Sequence, residues 1–408
     1  MFFIENRGRL PIKIAVLHHA LGRFGGGEKI AVLHSLYMKK MGLDVELFYN
    51  GPMPNEWKRR VQLDVPLKVL PFGLTKSIRD LNKLMNHLKS FDIILVNHHI
   101  CPFLAFYLSI FFKSKLVWYC GEPLRPLWEN YISGIDYREL KCTVKSTSLE
   151  VYGNFFTSLF LSNGLYDMSV SFLKAVDKLT IPRFHTIVAN SNYTRKVVKR
   201  IYGLNGFVPV VYPGVERRLD SQNTASRNVR RYILSVGAMT PLKNHAALLK
   251  TFDILSCKRG LKVKLVIVGN GPLENELRSL ARKFGLKNVI FEPWVSERKL
   301  NNYYGGCMFI VHLAYHEPFG LVPVEAALHG KPSIVSVGGG TSEFVVHGEN
   351  GFVVDPNRPE EVADHIEYLI ENEDIRAEMG LKAKERALKG FTIEKSTENL
   401  IRTIEARI

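Results

Sequence analysis

Short runs dense in aliphatic residues alternate along this chain with stretches in which apolar side chains recur every three or four positions. Residues 12–18 form such a run and read as a strand. Behind the glycine-rich stretch 22–27, residues 28–41 place Ile30, Leu33, Leu36 and Tyr37 on one helical face. Residues 45–49, 91–96 and 116–119 read as further strands, the last two separated by an apolar helix. Residues 186–189 are another, and Ser191 stands where it can cap a helix running through Tyr202. The second half repeats the grammar. Strands are predicted at 232–236, 263–268, 309–313 and 333–335, with helices at 244–255, 274–284 and 322–329. Strands that alternate with helices build parallel sheets covered on both faces. Two such sets predict an α/β chain of two Rossmann-like, doubly wound domains. A length of 408 residues agrees, since a single core stops growing near ~250–300 residues.

The turn-forming Tyr212-Pro213-Gly214 marks the break between the sets. The expected organisation is an N-terminal domain over 1–213, a C-terminal domain over 214–390, and a final helix, 391–408, returning to the first domain. Residues from about 124 to 178 fit the alternation poorly and are rich in aromatics, among them Trp128, Tyr131, Phe156 and Phe172. They read as an insertion of amphipathic helices that packs on the sheet, or that touches an acceptor or a membrane interface.

Composition narrows the class. Hydrophobic residues at 46% and charged residues at 23% exclude an intrinsically disordered chain. No stretch approaches the ~18 apolar residues of a spanning helix. Glu5, Arg7 and Arg9 interrupt any apolar leader segment. The five cysteines, Cys101, Cys120, Cys142, Cys257 and Cys307, are scattered without metal-binding spacing, so free thiols in a cytoplasmic chain are expected. The net charge is +16, and residues 1–220 alone hold 30 basic and 17 acidic side chains. That one-sided field favours an anionic membrane surface or an anionic substrate. No RNP, zinc-finger or helix-turn-helix signature accompanies it, so nucleic acid is not an expected partner.

The densest chemistry lies in His316-Glu317-Pro318-Phe319-Gly320-Leu321-Val322-Pro323-Val324-Glu325, between a strand end and a helix start. Ligands of open α/β sheets bind outside the carboxyl ends of strands. Gly320 permits close approach of backbone to a ligand, and two carboxylates eight positions apart offer acceptors for sugar hydroxyls. The string EPFGLVPVEA resembles the Glu-x7-Glu signature of retaining glycosyltransferases with the GT-B fold, of the family 4 type. Gly25-Gly26-Gly27-Glu28 resembles the N-terminal glycine loop of that family. Asn190-Ser191-Asn192-Tyr193-Thr194 and Tyr212-Pro213-Gly214-Val215 resemble its interdomain region. Ser235-Val236-Gly237 with Lys243, Val268-Gly269-Asn270-Gly271-Pro272 and Gly348-Glu349-Asn350-Gly351-Phe352 resemble its donor-domain loops.

The resemblance implies roles. Glu325 would hold the ribose hydroxyls of a nucleotide sugar and Glu317 would contact the transferred sugar. Backbone at Phe319, Gly320 and Leu321 would bind sugar and phosphate oxygens. Lys243, beside Gly237, would neutralise the diphosphate as it leaves. Gly26 and Gly27 would let the N-terminal loop close over that diphosphate, while Glu28 also reads as a first-turn charge favourable to the helix dipole. The family's usual arginine after the glycine of the Val-Gly loop is Ala238 here. Metal independence and no cofactor beyond the donor are also implied.

A second segment, Trp118-Tyr119-Cys120-Gly121-Glu122-Pro123-Leu124-Arg125-Pro126-Leu127-Trp128, is similar to one found in mannosyltransferases that extend polyprenyl-linked glycans or O-antigens. Those enzymes carry a histidine near the reacting sugar where this chain has Gly121. Glu122 would partly fill that space. Arg125 reads either as an acceptor-phosphate ligand or as half of an ion pair. The pairs His18-His19 and His98-His99 end predicted strands. Adjacent residues point to opposite faces, so neither pair grips a metal; one of each could hydrogen-bond donor or acceptor, and a satisfied structural histidine is the simpler reading of each.

Together these features imply a retaining hexosyltransferase on the cytoplasmic face of a membrane, with GDP-mannose as first-choice donor and a glycan or polyprenyl-linked glycan as acceptor. UDP-glucose, UDP-galactose or UDP-N-acetylglucosamine remain alternatives, as does a silent sugar-nucleotide-binding scaffold. An NAD-dependent oxidoreductase is a weaker rival, because Gly22-Arg23-Phe24-Gly25-Gly26-Gly27 is not a clean dinucleotide fingerprint.

Overall fold

The computed structural model describes residues 12–19, 25–50, 53–69, 78–98, 102–125, 127–128, 165–217 and 231–407. The first half contributes β1 (Lys13–His19), β2 (Asp44–Asn50), β3 (Leu67–Val69), β4 (Ile93–Asn97), β5 (Leu116–Cys120) and β6 (Thr186–Ala189). They form one parallel sheet in the order β3-β2-β1-β4-β5-β6. The second half contributes β7 (Tyr232–Val236), β8 (Lys264–Val268), β9 (Val289–Glu292), β10 (Ile310–His312), β11 (Ser333–Ser336) and β12 (Gly351–Val354). Their order is β12-β11-β10-β7-β8-β9, the same winding once more. Strand order reverses between β1 and β4 in one sheet and between β7 and β10 in the other. At such switch points the crossover connections diverge and leave a crevice at the carboxyl ends of the strands.

The strands read as continuous apolar runs because helices cover both faces of each sheet. Every residue of β4, β5 and β7 is buried. The helices of the first half are α1 (Gly26–Lys40), α2 (Asn55–Asp64), α3 (Ile78–Leu88), α4 (Pro102–Phe111), α5 (Leu165–Thr180) and α6 (Asn192–Tyr202). Those of the second are α7 (His245–Asp253), α8 (Glu274–Lys283), α9 (Glu297–Gly306), α10 (Val322–Leu328), α11 (Pro359–Glu371), α12 (Glu373–Gly390) and α13 (Ile393–Glu405). α1 buries Ile30, Leu33 and Leu36, the face its spacing predicts. Ser191 caps α6 by accepting from the Thr194 backbone N–H at 2.9 Å, as its position predicts. The helix expected over 244–255 is shorter. It follows a 3-10 turn at Pro241–Lys243, starts beyond Asn244 in a left-handed conformation (φ +52°), and ends in a π-helical turn at Ile254–Lys258.

α13 leaves the second sheet and packs on the first. Its Leu400, Ile401 and Ile404 join Ile14, Leu33 and Val45 in one apolar cluster. Each such side chain taken from water is worth roughly 1.5–3 kcal/mol, enough to hold the returning helix. His34 and Ser396 meet at 3.0 Å across this interface. The outgoing and returning strands of chain run side by side. Val215 donates to the Phe391 carbonyl and Ile393 to the Val215 carbonyl, both at 2.9 Å. A Cβ on Gly214 would lie 2.2 Å from the Thr392 oxygen, so only glycine admits this crossing.

Of the aromatic segment 124–178, α5 is helical and packs on α4, with the Phe103 and Phe172 rings 6.2 Å apart. Its buried Asp177 accepts from Trp128 Nε1 and the Tyr202 hydroxyl, both at 2.7 Å. Residues 126 and 129–164 of that segment lie outside the described residues, as do Cys101 and Cys142. Cys120, Cys257 and Cys307 are free thiols. Among the described residues no helix is long and apolar enough to cross a membrane.

Candidate active site

The loop between β10 and α10 sits at the switch point of the second sheet. His316 (φ +48°) and Gly320 (φ +79°) both hold left-handed backbone that folds the loop back on itself. A Cβ on Gly320 would come within 2.4 Å of Thr341 Cγ2, so the packing of Thr341 against the loop admits only glycine here. Phe319 is buried, stacked on Phe391 and tilted against Tyr212. Its side chain therefore anchors the loop, leaving only backbone from this residue for a ligand. The Glu317 carbonyl accepts from the Gly340 N–H at 2.7 Å, and the Pro318 carbonyl accepts from the Ser191 hydroxyl at 2.5 Å. The cap of α6 thus also holds the loop from the opposite domain.

Lys243 comes from the turn after β7 and meets Glu317 with Nζ–Oε2 at 2.5 Å. Burial alone would raise the Glu317 pKa, but the Lys243 ammonium beside it overrides burial and holds the carboxyl down at about 2. The lysine stem lies over Gly237, where a Cβ would sit 3.3 Å from Lys243 Cγ. Gly237 serves by clearing that path. Ala238, one residue on, is exposed. Burial pushes the nearby His245 and His312 down to about 4, so both are neutral near pH 7 beside a cation.

Glu325, on α10, accepts from the Tyr304 hydroxyl at 2.7 Å. Lys29 of α1 lies 4.0 Å from Glu325 and 2.9 Å from Glu297, so a cation of the first domain faces two carboxylates of the second. Lys29, Leu33, Trp57, Leu321, Tyr304 and Glu325 line a cavity of about 70 Å³ between the domains.

The opposite lip is built from β1, β4 and β5. A Cβ on Gly26 would be 3.5 Å from Leu321 Cδ1, and one on Gly27 would be 3.1 Å from the His98 ring. Glu28 accepts from the Gly25 N–H at 2.9 Å, so it caps α1. Glu122 and Arg125 pair with each other, and Arg125 also donates to the His316 carbonyl at 3.0 Å across the cleft. His18 is buried, with Nδ1 3.1 Å from the Asn97 carbonyl oxygen, and it stacks with His98 at 6.2 Å. His99 lies outside the described residues.

Three contributors escaped the sequence. Tyr304 has no motif and lies 21 positions from Glu325. Lys29 reads as an ordinary surface lysine until α1 meets α9 and α10. Glu343 accepts from the Asn192 and Tyr193 backbone N–H groups at 2.8 and 2.7 Å, from Asn192 Nδ2 at 2.9 Å, and from the Tyr212 hydroxyl at 2.9 Å. This carboxylate of the second domain thereby caps α6 of the first, where the helix dipole favours it.

Known proteins resemble this chain in sequence and in fold. Residues 24–219 match the family model described as Glycosyltransferase Family 4, and residues 216–386 match that of Glycosyl transferases group 1. The chain is 36% identical over 166 residues to a D-rhamnosyltransferase, WbpZ, of Pseudomonas aeruginosa, covering 40% of this chain and 42% of that protein. It is 29% identical over 225 residues to a D-inositol 3-phosphate glycosyltransferase of Nocardioides, covering 49% of each. The chain thus spans about half or less of the length of these curated relatives. The crystal structure of Anabaena HepE in complex with UDP and glucose superposes with a TM-score of 0.71 at 18% identity, over 97% of this chain and 99% of that one. The fold is GT-B, and the chain carries a family 4-like domain followed by a group 1 domain.

Proposed function

We propose that this protein is a retaining glycosyltransferase that moves a hexose from a nucleotide sugar to a glycan or polyprenyl-linked glycan, with GDP-mannose as the preferred donor. The observation that carries the reading is the Lys243–Glu317 pair at the switch point between β7 and β10. A cation poised beside a carboxylate at a strand-end crevice suits a ligand with anionic phosphates and a polyhydroxyl sugar. In this reading the bond between the sugar C1 and the diphosphate oxygen breaks, and the diphosphate leaves with the electron pair. Lys243 stabilises its charge. The acceptor hydroxyl oxygen forms the new bond to C1 and gives up its proton to the departing phosphate. Glu317 orients sugar hydroxyls, Glu325 takes the ribose, and loop amides at Phe319, Gly320 and Leu321 take phosphate or sugar oxygens. Gly26 and Gly27 bring the first domain over the diphosphate, and Glu122 with Arg125 line the acceptor side. The reaction needs no metal and no further cofactor.

A UDP-sugar donor is the second reading, supported by the UDP and glucose held in the Anabaena structure of the same fold. A thermal-shift titration against GDP, UDP, GDP-mannose, UDP-glucose and NAD separates the two, because a ligand of the folded state raises Tm by mass action. Stabilisation by GDP and GDP-mannose is expected. Stabilisation by UDP species alone replaces the donor, and a response to NAD alone overturns the glycosyltransferase reading.

The acceptor side fits a peripheral position on the cytoplasmic face of a membrane. Tyr107, Ile110 and Phe111 of α4 and Phe172 and Leu179 of α5 are exposed on the basic domain. Binding to anionic vesicles is expected at low salt and release at high salt, because screening removes the electrostatic share. Retention that ignores salt, or no vesicle binding, contradicts it.

A further inference from the structure

We infer that His98 is a catalytic residue of the transfer reaction, an imidazole delivered from the end of β4 into the space above Gly121 to touch the sugar being transferred. The inference rests on the transferase reading above.

Space is the first observation. A Cβ on Gly121 would stand 2.1 Å from His98 Nδ1 and 3.0 Å from Cε1. A Cβ on Gly27 would stand 3.1 Å from His98 Cδ2. The ring therefore occupies a slot between two glycines on two different elements, and a methyl group at position 121 is incompatible with it. Backbone is the second. His98 holds φ +73°, a conformation that L side chains other than Asn, Asp and His seldom adopt. The surroundings impose it. The His98 N–H donates to the Tyr119 carbonyl at 2.8 Å, and Trp118 Nε1 donates to the His98 carbonyl at 2.6 Å. Strained residues so clamped cluster where function fixes a side chain.

Location is the third. Both walls of the slot extend to the opposite domain. Gly26, next to Gly27, abuts Leu321. Arg125, four residues beyond Gly121, donates to the His316 carbonyl. His316 and Leu321 bracket the loop that carries Glu317. The slot that holds the imidazole is thus flanked by two contacts that reach the loop carrying Glu317. Burial lowers the His98 pKa against the opposing Glu28 carboxylate, which favours the neutral ring. A neutral imidazole offers one donor and one acceptor to sugar hydroxyls.

The test is steady-state release of nucleoside diphosphate from the donor that wild type turns over, alongside nucleoside-diphosphate affinity as the control for folding. His98→Gly, which tolerates the local backbone, is expected to lower kcat about 10²-fold or more while the affinity stays within about twofold. Gly121→Ala, which drives the ring from its slot, is expected to lower kcat in the same way. The double variant H98G/G121H, which returns an imidazole to the same space from β5, is expected to regain activity over His98→Gly. A residue that only filled space would leave kcat unmoved in a well-folded variant. Full kcat in both single variants of an active wild type overturns the inference alone. A wild type that binds nucleotide but turns over no donor overturns the transferase reading and this inference with it.

Discussion

Lys243→Ala is expected to weaken nucleotide-sugar binding by about 1.5–3 kcal/mol, roughly 10- to 150-fold in Kd, the worth of one charge-assisted hydrogen bond. It is also expected to weaken the pH dependence of stability at Glu317. In the intact pair the folded pKa, about 2, lies below the ordinary 4.5. The pair's contribution is then fully present above pH 4.5 and is lost as pH falls from there through 2. Without Lys243, burial still pushes the Glu317 pKa up while His312 and Arg125 still hold it down, so it moves up from about 2. The stability that the depressed carboxyl gives at neutral pH is then reduced. Melting temperatures of wild type and variant between pH 3 and pH 7 check this. The deficit of the variant is expected to be largest at pH 7 and to shrink toward pH 3. A deficit equal at both ends would show that the pair does not set the Glu317 charge, and unchanged donor affinity would remove Lys243 from the site.

Glu343→Ala is expected to cost on the order of 3 kcal/mol in unfolding free energy, because one carboxylate accepts four hydrogen bonds across the domain boundary. Two of those donors are the first backbone N–H groups of α6, which no intrahelical acceptor can satisfy. Tyr212, whose ring packs on Phe319 and Phe391, loses a partner in the same step, so the loop carrying Glu317 loosens. Glu343→Gln keeps the shape, gives up the charge and is expected to lose less. Urea unfolding of both variants measures the difference. A loss under about 0.5 kcal/mol for alanine, the range of an ordinary surface change, would mean that the contact is not formed in solution.

The parts of this fold that were legible share one physical property. β4, β5 and β7 are buried on both faces, so each appears as an unbroken apolar run. Two edge strands, β3 and β9, lack that signal. β9 reads Val-Ile-Phe-Glu with every residue partly open, β3 is three residues long, and both escaped notice. α2 buries only Trp57 and Val61 on an otherwise polar helix, too few for a period to show. Ser191 was legible as a cap because a hydroxyl just ahead of a helical pattern has one obvious partner.

The site divides the same way. Glu317, Gly320 and Glu325 stood out as one contiguous string, whereas the contact between Lys243 and Glu317 joins residues 74 positions apart. Glu122 and Arg125 were ambiguous between acceptor ligands and an ion pair, and in the structure they pair with each other. Gly121 looked like a lost side chain beside Glu122. Its reason is the ring of His98 on the neighbouring strand, a relation that exists only once β4 and β5 are paired at Val96–Trp118 and Asn97–Tyr119. Glu343 had no signal, since a carboxylate among Thr, Ser and Phe marks nothing until α6 arrives above it.

The most direct test of the transferase reading is to incubate the protein with each nucleotide sugar and a membrane extract containing polyprenyl-linked glycans, following both the nucleoside diphosphate and the sugar product. The expected result is stoichiometric release of GDP from GDP-mannose with mannose joined to an acceptor in the donor's own anomeric configuration, and loss of both signals in Glu317→Ala. Tight nucleotide binding with no sugar transferred from any donor would contradict it and leave a binding protein in the shape of an enzyme.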